Sequence, residues 1–555
     1  MKPSRSYRAV AVCCVVLFAL APIVGAQDAA APKPAGVPQD WSQRHIVFSR
    51  DALAQHPELI YREPRVLYQA MQRWQAPSSD VFHAVAPVPP SGDISGTDRD
   101  WNVALGGRLS PDMYPAKYSF DASAPPDCTN DWVVFGLAVA GVTGGVPNLI
   151  AFNNLYVNSA GTGFCTGTAP KVLFAYNTTT AAGGKIVTSP ILSEDGTKIA
   201  FVESLTTSAI FHVLTWSAGQ GALKVSVAPT SMTSITFSAT AGSTTSSPWV
   251  DYASDTVYLG ADNGLVYKIT GVFKGTPTLA GAPWPVTVST NLHLTPPVLD
   301  SSRGLLMVGS MNGSLYQINV STGALKSLAV GKSGATSPGV IGAPIIDVGS
   351  GTTFVVSANG ASSAPGGFSA VLVEVDTALM TSLSKAVIGE GSATKTALTL
   401  REPAFDNNYY NNPSTGLIRL CGTGAADTTP WQYAFGFTET SGQFILDTTP
   451  SFSQQLLTST AARCTGWTEF YNPNISGGTD FFFFGLTQDC TATGVAGGCV
   501  EALNGGTNTL TTATVNGGPS GVIVDNFSTD AGASSIYFMA DRVDTAYKFT
   551  QNGLQ

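Results

Sequence analysis

The sequence predicts an all-β protein of repeated four-stranded blades, a propeller of seven or eight, preceded by a short helical and irregular extension. Two observations carry the prediction. PWVD (248–251), PVLD (297–300), PIID (344–347) and PAFD (403–406) share one pattern, with prolines separated by 49, 47 and 59 residues. Asn263-Gly264, Asn312-Gly313 and Asn359-Gly360 fall between them in step, spaced by 49 and 47. Self-similarity at such a period marks a repeat architecture.

Each element of the unit has its own reason. Asn-Gly is a hairpin signal, because a type I′ turn needs positive φ at both central residues. The flanks, TVYLGADNGLVYKIT and LLMVGSMNGSLYQIN, mix β-branched, aromatic and polar residues as strands do. One unit is then an opening strand after proline, a turn, two hairpin strands and a polar outer strand, which is a propeller blade. Weaker copies lie on both sides: AKYSFD with DWVVFGL and KVLFAYN, then SPILSEDGTKIAFVES with AIFHVLTW, and downstream TEFYN with DFFFFGLTQDC, then PSGVIVD with SSIYFMAD and TAYKFT. The total is eight. The last unit lacks an outer strand, and DWNVALGG (100–107) is expected to pair there and close the ring, removing two exposed edges. An insertion near NLIAFNNLYVNSAGTGFCTG interrupts the first blade. Phe481–Phe484 reads as a strand buried on both faces.

The amino terminus reads as an export signal over residues 1–26: Lys2, Arg5 and Arg8, an apolar run, then small residues ending at Ala26. No second stretch approaches membrane length. Residues 27–99 form a linker and partly helical extension, with Pro/Ala/Gly/Ser-rich pieces at 27–40 and 84–98. The helical piece carries Leu59, Leu67, Met71 and Trp74, breaks near Pro57 and Pro64, and is expected on the outside of the ring. The propeller occupies 100–555. Six cysteines follow the signal, and proximity pairs Cys128 with Cys165, Cys421 with Cys464 and Cys490 with Cys499; the count alone leaves other pairings open. Losing three basic residues with the signal takes the net charge from −9 to −12, which disfavours nucleic acid as a partner.

The blades resemble the quinoprotein-like propeller repeat, of the PQQ-repeat and WD40-like kind, through LYQINVSTGALKSL (315–328), where Asn319, Thr322 and Gly323 fall on the repeat's Asp/Asn and Thr-Gly. SEDGTKIAF is similar instead to TolB-type repeats. Quinone-dependent members of that family hold their cofactor under a disulfide between adjacent cysteines, and the only adjacent pair here, Cys13-Cys14, lies in the signal. The resemblance therefore implies the fold without a quinone, and no C-x-x-C-H offers haem a covalent site.

Asp251, Asp300, Asp347 and Asp406 take one position in successive blades. Calcium near the axis is one reading, since hard cations need converging oxygens; the plainer one is an Asx turn after each opening strand. His45, His56, His83, His212 and His293 form no metal motif; His212 reads as a packed or edge residue of its strand, and His293 as facing the mouth of the ring. No G-x-S-x-G or phosphate loop is present. Asn177 and Asn474 begin glycosylation sequons.

The expectation is a monomeric, secreted, periplasmic or cell-surface scaffold, non-catalytic and without a required cofactor, that binds a protein or glycan through blade loops. The alternative is a secreted enzyme, a degenerate quinoprotein-type oxidoreductase or a glycan-active hydrolase or lyase, with its site in the funnel.

Overall fold

The computed structural model describes residues 36–74 and 97–551, apart from 111–112, 123, 158–160, 162, 240–241, 332–338, 362–366, 393–397, 474, 476, 492–496, 526–532 and 542–543. The export signal, most of the two linkers, His83 and Asn474 lie outside the described residues.

Eight antiparallel blades form the body. Their inner strands are Ala116–Ser119, Ile191–Leu192, Trp249–Asp251, Val298–Asp300, Ile345–Asp347, Ala404–Phe405, Thr468–Asn472 and Ile523–Asp525. They touch one another from blade 1 to 2, from 3 through 4 to 5, from 6 through 7 to 8, and from 8 back to 1, so the sheets surround a common axis. Blade 8 takes its outer strand from the beginning of the described propeller: Thr97–Ala104 runs antiparallel to Thr545–Gln551, with Ala104 opposite Thr545. This is the closure expected from DWNVALGG, starting three residues earlier. The physical reason is the edge: closing the ring with a segment from the other end leaves neither terminal strand unpaired.

Burial follows the same logic. Phe481, Phe482, Phe483 and Phe484 lie in the second strand of blade 7, Thr479–Leu486, and all four are buried between neighbouring blades. The cysteines pair as Cys128–Cys165, Cys421–Cys464 and Cys490–Cys499. The second of these ties the second strand of blade 6 to the segment leading into blade 7.

Several expectations are corrected. Asn263 and Asn312 do not take positive φ; only Gly264 and Gly313 do, at 79° and 81°. Gly264 N–H bonds Ala261 O, and the Asn263 side chain accepts Leu265 N–H, so the Asn supplies a side-chain acceptor and the glycine alone takes the left-handed conformation. A Cβ on Gly264 would come within 2.3 Å of Ser289 O. Asn359-Gly360 is not a hairpin tip at all, for it lies within the long strand Thr352–Ala361, at a register shift between Ser357 and Gly360. In blade 1, Leu149–Asn153 is the third strand itself, and the insertion begins after it. Finally, the amino-terminal extension does not pack outside the ring. It enters the axis, and residues 37–40, read as linker, are strand and cap.

Candidate functional site

The axis is where inner strands present unpaired main-chain groups, and the extension meets them there. Val37–Gln39 adds to blade 1 antiparallel, with Val37 opposite Ser119 and Gln39 opposite Lys117. Asp40 then caps a 3-10 turn, Trp41–His45, accepting from Ser42 N–H at 3.0 Å and Ser42 Oγ at 2.5 Å. Ile46–Val47 continues parallel to the inner strand of blade 5, Ile46 beside Ile346 and Val47 beside Asp347. Gln39, Asp40, Trp41, Ser42, His45, Ile46, Val47 and Phe48 are all buried.

The turn bonds four blades through carbonyls at or just before their inner strands. Trp41 Nε1 donates to Pro248 O at 3.2 Å, His45 Nδ1 to Pro344 O at 3.0 Å, and Arg44 to Trp467 O at 2.6 Å and Val522 O at 2.9 Å. Burial, with Arg44 adding to it, pushes His45 down to about 3, so the ring is neutral at physiological pH and Nδ1 keeps the proton it donates to Pro344 O.

After Phe48 the chain leaves the axis in three helices, Arg50–Gln55, Leu59–Arg62 and Pro64–Trp74, with breaks at the two predicted prolines. They sit where the inner strands finish: a Cβ on Gly349, in the turn after the blade 5 strand, would come within 2.3 Å of Ala52 Cβ. Arg65 is wholly buried, pairs with Glu63 at 2.7 Å, donates to Val250 O at 3.1 Å and lies 4.1 Å from the Trp249 ring centre. Arg73 holds both oxygens of Glu469 on blade 7, bonds Asn407 on blade 6 and covers the Tyr410 ring at 3.6 Å. Burial and the neighbouring Glu469 charge raise Asp480 well above the carboxylate range, and burial raises Asp406 to about 6. Between this plug and the inner strands of blades 6, 7 and 8 lies a cavity of about 90 Å³.

The residues singled out from sequence scatter around this centre. Asp251 accepts from Ala253 N–H, Asp300 from Ser302 and Arg303 N–H, Asp347 from Gly349 and Ser350 N–H, and Asp406 from Tyr409 and Leu417 N–H. All four serve the chain that follows their inner strands. His212 is buried against Glu203 at 2.9 Å and Ser234 at 2.8 Å. Burial opposes ionisation of Glu203, but His212, Thr180 and Ala181 together hold its carboxyl below the usual range. His293 lies between blades 3 and 4, half-exposed, 2.7 Å from Asp262, whose hydrogen bond raises it against the opposing effect of burial. Asn177 is tied to Thr143 and Thr179. Among the described residues no group of three or more His, Cys, Asp or Glu is placed to hold a metal ion, and no helix is long and apolar enough to cross a membrane. The sequence reading missed Arg44, Arg65 and Arg73; their signal was a run of arginines inside an amphipathic segment of a chain otherwise poor in charge.

No protein-family model matches the chain, and no curated protein does. Among solved structures it is similar to BamB from Moraxella catarrhalis, at 12% identity and TM-score 0.40 over 82% of this chain and 98% of that one. It is similar also to Sqt1 from Saccharomyces cerevisiae, at 10% identity and TM-score 0.48 over 82% and 100%, and to the Dos1 propeller, at 9% and 0.45 over 82% and 96%. At these values the blade topology itself, and not the likenesses, carries the fold.

Proposed function

We propose that the chain is an exported, non-catalytic scaffold that binds a protein or glycan partner on the face formed by the between-blade connections and the second-to-third strand turns. The carrying observation is the filled axis. Residues 37–48 occupy the place where a funnel would gather groups from several blades, and helices 50–74 cover the end where the inner strands finish. The opposite face, carrying the Asn263 and Asn312 turns and His293, is left for recognition. A rigid ring with its loops at one end suits binding, because loops vary without disturbing the blades.

The test is affinity capture from envelope and culture-fluid fractions of the source cells. The wild-type chain is compared with one variant carrying Asn263→Arg and Asn312→Arg and another carrying Arg62→Glu on the helical face. Specific capture lost only in the loop-face variant supports the reading. Capture lost only in the helical-face variant, or a chemical turnover abolished by His293→Ala, sinks it. The second of these outcomes belongs to the enzyme alternative, for which the half-exposed Asp262–His293 pair is the specific motive.

A further inference from the structure

The cavity beside the plug has a chemistry of its own. By the same measure a water needs on the order of 10–15 Å³, so about 90 Å³ admits a body of several such units, the scale of one sugar ring. Three of its lining side chains, each more than nine-tenths buried, keep a polar atom with no hydrogen-bond partner among the described residues: Gln39 Oε1 and Asp40 Oδ2, which accept, and Arg73 Nε, which donates. Native proteins satisfy nearly all such groups.

The cationic groups on the wall are otherwise engaged, both terminal nitrogens of Arg73 by Glu469 and Asn407 and those of Arg44 by two carbonyls. Asp40 receives Ser42 on Oδ1 only, and its Oδ2 has no hydrogen-bond partner among the described residues. An anion would find its counter-charge already spent and would face that carboxylate, and a cation would face the Arg73 guanidinium. A hydrocarbon would leave the orphaned atoms unmet. A hydroxyl group gives and accepts at once, and a ring bearing several can serve donor and acceptors together.

We propose that this cavity binds a small neutral polyhydroxyl ligand, a single sugar unit, donating to Gln39 Oε1 and accepting from Arg73 Nε. Both groups belong to the amino-terminal plug, whereas Ala404, Thr468 and Ile523 supply the facing wall from blades 6, 7 and 8. The ligand therefore bridges plug and ring, and by mass action favours the seated plug. This site is separate from the loop face and does not depend on that reading.

The experiment uses the full chain and four probes, glucose, galactose, mannose and N-acetylglucosamine, at millimolar concentration. Binding is read by saturation-transfer NMR and equilibrium dialysis, with the melting temperature followed in parallel. Saturable binding of at least one sugar with a rise in melting temperature is expected. Gln39→Leu should weaken it about tenfold or more. Ile523→Phe, which fills the cavity from the ring side and leaves Gln39 intact, should abolish it in a protein whose circular dichroism is unchanged. Asn263→Arg on the loop face should leave it untouched. No saturable binding of any of the four, or binding that survives both Gln39→Leu and Ile523→Phe, overturns the proposal; so does capture of acetate or glycine in preference to the sugars.

Discussion

Arg44 Nη1 donates a 2.6 Å hydrogen bond to the main-chain oxygen of Trp467, 423 residues further along the chain, while Nη2 reaches Val522 O at 2.9 Å. One side chain thus joins the extension to blades 7 and 8 at once. Arg44→Leu leaves both carbonyls without this donor and removes the cation held 4.6 Å from the Tyr114 ring. Loss of about 2–4 kcal/mol of stability is expected, since charge-assisted bonds inside a protein are costly to orphan. Calorimetry checks it; a melting temperature equal to that of the wild type would mean that the plug contributes little to the ring.

Ring closure makes a second claim. Removing Thr97–Ala104 strips blade 8 of its outer strand and bares the edge of Thr545–Gln551. The truncated chain should unfold at lower temperature and associate, because an open strand edge pairs with other chains. Light scattering during a thermal scan distinguishes this from an unchanged, monomeric transition.

The disulfides should differ in weight. Cys421–Cys464 closes a separation of 43 residues across two blades, and Cys490–Cys499 only 9 within one. On the chain-entropy estimate their removal as serine pairs costs about 4 and about 3 kcal/mol. Denaturant titration of the two double variants should rank them in that order.

A pH dependence follows from two acids on third strands. Burial raises Glu374 to about 7, against the Leu446 N–H it accepts, and burial raises Glu501 to about 7, against the Thr512 hydroxyl. A folded-state value above the unfolded one means that the stabilising contribution is whole below about 4.5 and is lost as pH rises to about 7. Each contributes at most about 3 kcal/mol over that window. Melting temperature should therefore decline between those pH values, and Glu374→Gln with Glu501→Gln should flatten the slope.

Much of the ring was legible because blades are local. Pro248, Pro297, Pro344 and Pro403 announce inner strands, Asn263 and Asn312 announce turns, and within a blade successive strands pair, so the period of the pattern is the period of the fold. The disulfide partners were legible for the same reason of proximity. Asn359 misled because a dipeptide signals backbone preference only, and the cross-strand register of blade 5 placed that preference at a bulge.

The extension was the opposite case. Its helices and their proline breaks could be read from local pattern, but not where they dock, because Arg44 and Arg73 find their partners hundreds of residues away and Arg65, besides Glu63, bonds Val250 O on blade 3. A segment with both apolar and charged faces reads as a surface helix until the acceptors that satisfy its charges are known. The sequence by itself determined the blade and its repetition, since these rest on contacts between neighbours, and the strand that closes the circle, since the last unit is one strand short of the repeat. Only the tertiary structure decided that the axis is filled from within and that Gln39 and Arg73 line a cavity there, since those contacts exist only once the eight inner strands stand around one axis.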